Sequence, residues 1–249
     1  MQNYSNLLIK KDIISIMKMK TEGIIGGLGP ETTAKFYLKV IAEAKIIDPH
    51  IRPPMIIWNV PIDLATEESF IKGNNESQTY IQLLADAALR LEKAGADFIV
   101  IPCNTVHVFI EEIRHAVQIP VLSIVEETKL FLKKHNISKV GLLATSTTIN
   151  HKLYNNLLEK NGIEVFTPTD KEQSRINLSI TRLVNNEYSD QDREIIQNII
   201  ISLSNKGVQT TLLACTDFQL VAPSHPTVAI YDTMLLLAQK TAKNIFEAW

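Results

Sequence analysis

Cysteine is scarce in this chain. Its 249 residues contain two, Cys103 and Cys215. That is too few for a disulfide scaffold, and in a loop-poor α/β pattern it points to a reducing compartment and a cytoplasmic protein. A large excess of charge of either sign is missing as well. Lys and Arg number 25 against 27 Asp and Glu, a formal net charge of −2, and no basic cluster offers the footprint that nucleic acid requires. No apolar run approaches the roughly 20 residues that span a bilayer. Residues 1–20 carry Lys10, Lys11, Lys18 and Lys20 but no following small-residue cleavage site, so they read as a weakly docked arm and not as a signal peptide. A Cys-x-x-Cys redox pair is absent, and the Cys103–His107 spacing has no second ligand pair beside it. Neither a dithiol couple nor a metal site is expected.

What the chain does have is alternation. A hydrophobic content of 45% can bury a core in one domain or two small ones. Strands are expected at Gly23–Ile25, Pro54–Val60, near Phe98–Pro102, Pro120–Ile124, Lys139–Thr145, Glu164–Pro168, Val208–Ala214 and Val228–Tyr231. Helical periodicity lies between them, as at Glu76–Ala94, Glu126–His135, Ile149–Asn161, Lys171–Asn186, Asp190–Asn205 and Thr233–Ala248. Such alternation predicts parallel sheets wrapped by helices.

Within it the chain repeats itself. GADFIVIPCNTVH (Gly95–His107) and GVQTTLLACTD (Gly207–Asp217) each leave a glycine, run through apolar and β-branched residues, and finish on a cysteine followed closely by a threonine, Thr105 or Thr216. Each thiol therefore stands at the carboxyl end of a buried parallel strand, where ligands bind in open α/β sheets. Inert packing does not require cysteine at both equivalent strand ends. The repeat implies an α/β fold of two similar lobes, each a short, mainly parallel sheet flanked by helices, with both strand ends facing a common cleft.

A third motif opens the first half: Gly26-Gly27-Leu28-Gly29-Pro30-Glu31-Thr32-Thr33. A glycine loop leading into a helix presents backbone N–H groups to an anion. Thr32 occupies the place of the third glycine of a dinucleotide fingerprint, and no Gly-Lys-Ser/Thr follows, so a small carboxylate is the better fit.

These three motifs, in this order, resemble the aspartate/glutamate racemase superfamily, with its GGMGPxAT loop, PCNTxH and later CTE or CTD. The resemblance runs from about Thr21 to the C-terminus. It implies residues 21–119 plus 229–249 as one lobe and 120–228 as the other, with the C-terminal helix crossing back to the first. It implies a cofactor-independent amino-acid racemase with Cys103 and Cys215 as opposed acid and base, acting on a small-molecule amino acid. The expected substrate-binding set is Leu28, Gly29, Thr33, Asn59, Asn104, Thr105, Thr145, Arg182 and Thr216. Family members often dimerise, although no stretch here identifies an interface. A one-thiol decarboxylase, a maleate-type isomerase and a non-catalytic amino-acid-binding sensor are the alternatives.

Two thiols suit the chemistry. Inversion at Cα removes a proton from one face and returns one to the other, which a single base does not easily reach. A thiolate is a competent base and the opposed thiol an acid. Backbone N–H groups near Gly29 and Asn104, with Thr105, Thr145 and Thr216, are positioned to stabilise charge developing on the carboxylate. The departures from the pattern lie at the far end of the substrate. The positions matching the family's side-chain-binding arginine and lysine fall near Thr66 and at Asn185, both uncharged. Arg182, one turn before Asn185, is the candidate replacement, with Arg175 and Lys72 more distant. The segment Asp63–Glu68 adds three carboxylates, which would repel an acidic side chain if they faced the cleft. Asp217 stands where many relatives carry glutamate.

Overall fold

The computed structural model of the chain describes residues 19–71, 77–221 and 223–247. The first half begins with β1 (Glu22–Gly26), buried at all five positions. It turns at Gly27, whose φ of +89° and approach to the Val60 backbone exclude a side chain, and enters α1 (Pro30–Ile47) with proline in its first turn. β2 (Met55–Asn59), α2 (Leu64–Ile71), α3 (Ser77–Lys93) and β3 (Phe98–Val100) follow. A 3₁₀ turn (Thr105–Phe109), α4 (Ile110–Ala116) and α5 (Ile124–Lys134) complete the first half.

The second half runs through β4 (Lys139–Ala144), α6 (Ser146–Asn150), α7 (Asn155–Glu159) and β5 (Glu164–Phe166). It continues with α8 (Asp170–Val184), α9 (Asp190–Ser204), β6 (Thr210–Ala214) and a 3₁₀ turn (Thr216–Leu220), and ends in β7 (Ala229–Asp232) and α10 (Thr233–Phe246).

Both sheets are parallel, ordered β2–β1–β3 and β5–β4–β6–β7. The order flank–centre–flank thus occurs twice, and each cysteine follows the third strand in chain order. β7, expected within the first lobe, pairs with β6 in the second sheet, while α10 packs on α1 and α5. One apolar cluster joins the sheets: Ile24 and Val100 from the first and Leu142 and Leu212 from the second share it with Val40, Leu132 and Leu237 of the intervening helices. Of the expected arm 1–20, only Met19 and Lys20 fall among the described residues; Met19 packs on this cluster and Lys20 donates its N–H to the Ile245 carbonyl at 2.9 Å.

Two expected elements differ. The strand at 120–124 reduces to a single bridge, Val121 to Ile99, because Ser123 already caps α5 by accepting the Glu126 N–H. The helix at 149–161 is broken in two. Lys152 turns left-handed at φ 51°, which brings Tyr154, fully buried, into the core to reach Asn104.

Glu22 is the exception in this core. It is fully buried, and neither carboxylate oxygen has a hydrogen-bond partner among the described residues. Burial raises its pKa well above the usual carboxylate range. The folded state therefore holds this proton more tightly than the unfolded chain. Stability from this group is complete below the unfolded value of about 4.3 and falls above it by up to about 1.4 kcal/mol per pH unit until the folded pKa is passed. In thermal melts, Glu22→Gln is expected to match wild type near pH 4 and to exceed it by a margin that widens from pH 5 to 8.

Candidate active site

Cys103 lies three residues past β3 and Cys215 directly follows β6, and both line one pocket between the lobes. The first half supplies Leu28, Glu67, Phe70, Ile71, Tyr80, Asn104, Thr105 and Val106; the second supplies Thr145, Thr216 and Asp217. Its cavity volume is about 30 Å³, room for a water molecule or two but not for an amino acid. Helix α2 covers it through Glu67, Phe70 and Ile71, held by a hydrogen bond from the Thr147 hydroxyl to the Phe70 carbonyl. Ligand entry requires that helix to yield.

No lysine or arginine among the described residues lines the pocket. Burial accordingly pushes the Cys103 thiol up to about 12, with Glu67 and Asp217 adding to the rise and the backbone N–H groups of Val106 and Thr105 opposing it. Cys215 is also pushed well up, first by burial and then by the charge of Asp217. Its Sγ lies 3.7 Å from Asp217 Oδ2 and donates to it. Asp217 is itself raised by burial and opposed by the Thr32 hydroxyl, which donates to Oδ1 at 2.6 Å. In the unliganded site both thiols are protonated at neutral pH.

The loops that carry the thiols are fixed from behind. Asn104 accepts from Tyr154 Oη and donates Nδ2–H to Thr233 Oγ1 at 3.1 Å, and Thr233 donates onward to the Leu213 carbonyl at 2.9 Å. Thr105 and Thr145 join their hydroxyls across the lobes at 3.0 Å. His107 is engaged at both ring nitrogens: Nε2 accepts the Ile124 N–H at 3.2 Å, which leaves Nδ1 to donate to the Cys103 carbonyl at 2.7 Å. Burial lowers its pKa to about 4. His107 is thus a neutral brace for the loop, spent on packing.

The pocket brings together Leu28, Asn104, Thr105, Thr145 and Thr216 from the expected set. Gly29 lines an adjoining outer recess. Thr33 and Asn59 stand behind the glycine loop: Thr33 Oγ1 accepts the Gly27 N–H at 3.0 Å and donates to the Gly29 carbonyl at 3.1 Å, and Asn59 abuts Gly27. Phe70, Ile71 and Tyr80 have no motif to announce them, whereas Glu67 is one of the Asp63–Glu68 carboxylates expected to matter if they faced the cleft. Thr32 had a signal in the sequence, its departure from the fingerprint, and its hydroxyl holds Asp217.

A sequence profile described as Asp/Glu/hydantoin racemase matches residues 25–241. The chain belongs to this family. It is 31% identical over 231 residues to the broad specificity amino-acid racemase RacX of Bacillus subtilis, covering 89% of this chain and 96% of that one. Among solved structures, a Yersinia pestis protein assigned as an Asp/Glu racemase superposes with a TM-score of 0.80 at 32% identity, covering 92% of this chain and all of the other. The Picrophilus torridus aspartate racemase gives 0.73 at 28%, covering 90% of this chain and 94% of that one.

Against the family's aspartate pattern, the expected replacement cation fails. Arg182 does not reach the pocket: its Nε donates to Asp192 Oδ1 at 2.9 Å, and it lines a separate surface recess with Arg175. Asp192 is fully buried and needs that partner, so the arginine is consumed in holding α8 to α9. Thr66 is tied to Asp63, donating its N–H and its hydroxyl; Asn185 lines the outer recess; Lys72 lies outside the described residues. Arg182→Ala is therefore expected to lower stability by about 1–3 kcal/mol, nearer the low end because the guanidinium is partly exposed, while substrate preference stays as in wild type. Urea melts and a substrate panel check the two halves of that statement.

Proposed function

We propose that this chain is an amino-acid racemase that works without pyridoxal phosphate, using Cys103 and Cys215 as opposed base and acid. The observation that carries the reading is that two equivalent strands, one in each sheet, deliver their following cysteines to a single buried pocket. One thiolate takes the α-proton as the opposite S–H gives a proton to the other face of Cα. The first sulfur ends as thiol and the second as thiolate, so the enzyme emerges poised for the reverse reaction. Charge moving onto the substrate carboxylate meets the backbone N–H groups around Asn104 and Thr216.

The pocket supplies no described cation to ionise a thiol, so the substrate does. Its α-ammonium, entering a dry site beside Cys215 and Asp217, favours the thiolate form. Asp217 accepts from the Cys215 thiol and orients it; the bond to Thr32 keeps the carboxylate in place. The walls formed by Leu28, Phe70, Ile71 and Val106 fit an apolar substrate stem, and Arg182 plays no part in recognition.

The reading is tested by incubating single enantiomers of neutral amino acids with the protein and resolving the products on a chiral column. Appearance of the opposite enantiomer from either direction, approaching equal amounts, is expected. Tight binding measured by calorimetry with no inversion over hours would replace the enzyme with a binding protein.

A further inference from the structure

Beside the inner pocket lies the outer recess, a cavity of about 430 Å³, and two residues line both: Glu67 and Asp217. Once α2 yields, a substrate with Cα between the thiols can send its side chain past this shared wall. Three carboxylates line the recess, Glu31, Glu67 and Asp217, against one cation among the described residues, Lys35. Glu67 is buried at 8% exposure and sits at the junction itself. An acidic side chain leaving by this route would meet Glu67 and Asp217 as like charges at the junction. A side chain of lysine or arginine length would instead put an ammonium or guanidinium beside Glu67, which is largely shielded from solvent, the setting in which a charge-assisted hydrogen bond is strongest.

We propose that the preferred substrates carry a cationic side chain and that Glu67 is the residue that selects them. This rests on the racemase reading of the same pocket and specifies it. Glu67 would contact the side chain and not the reacting atoms, so its effect falls on binding more than on turnover.

The test compares lysine with norleucine, which has the same stem and no amine, together with glutamate. Wild type is expected to racemise lysine with a kcat/KM exceeding that for norleucine by roughly tenfold or more, the worth of one charge-assisted contact, with glutamate the poorest. In Glu67→Gln the lysine-to-norleucine ratio should fall by a similar factor, chiefly through KM for lysine, and Glu67→Lys should move the preference toward glutamate. Wild-type kinetics alone can overturn the proposal, should the variants not fold: norleucine or glutamate inverted as well as lysine would do so and leave the two-thiol reading intact. A ratio unchanged by Glu67→Gln would also overturn it. Failure to invert any of the three would instead remove the racemase reading on which it stands.

Discussion

Cys103→Ala and Cys215→Ala are each expected to lose inversion by at least about 10²- to 10⁴-fold, the usual worth of a positioned acid or base. The losses should be alike, because each turnover needs both groups: one to take the proton and one to return it. They should not add in the double variant, since the first removal already ends the reaction. Each single variant keeps one thiol facing one side of Cα, so slow α-proton exchange without inversion is expected from the enantiomer that presents its proton to the surviving sulfur, and the preferred enantiomer should switch between the variants. Both sites are expected to tolerate alanine. Cys103 is half-buried and the pocket beside both sulfurs is a cavity already, so melting temperatures should change little and loss of fold is not the expected cause. A variant that retains inversion near the wild-type rate would exclude its sulfur from the reaction.

The second large effect is pH dependence. Burial sets Cys103 at about 12 and raises Cys215 as well, with carboxylates nearby and no described cation in the lining. Thiolate is then the scarce species at neutral pH, and its amount grows about tenfold per pH unit below the thiol pKa. Log kcat/KM should climb with a slope approaching one from pH 7 to about pH 9–10, where ionisation of the substrate ammonium begins to oppose it. Stability runs the other way. The folded thiols have raised pKa values, so their contribution is complete below the unfolded value of about 8.5 and is lost above it, as unfolded cysteines ionise and folded ones do not. Rates across pH 6–10, paired with melts, should show activity rising while stability declines. Asp217→Asn removes a charge that raises Cys215 and should shift the rise toward lower pH. A flat or acid-optimal profile would mean that a different group is the base.

Much of this was readable in the sequence, for a physical reason. A parallel strand buried on both faces is mainly apolar and β-branched, so Phe98–Val100 and Thr210–Ala214 announce themselves, and the cysteines beyond their carboxyl ends follow. What was illegible depends on where separate elements meet. Arg182 lies one turn from the expected position, yet its direction is decided by Asp192 on the next helix, which no periodicity reveals. The sequence flags the carboxylates of Asp63–Glu68, but that Glu67 faces the pocket while Asp63 is exposed is decided by how α2 lies across it. Tyr154 passes for an ordinary helix residue until Lys152 breaks the helix and sends the ring to Asn104. At 120–124, an apolar run after proline does not say whether Ser123 will end a strand or cap a helix.

Two opposed thiols make one prediction that a single base does not. When one enantiomer is inverted in D₂O and stopped in the first turnovers, the product should carry solvent deuterium at Cα while the recovered substrate remains protonated, as ¹H NMR with chiral separation will read. Product that retains the substrate's own proton, or substrate and product deuterated equally from the start, would contradict transfer between Cys103 and Cys215.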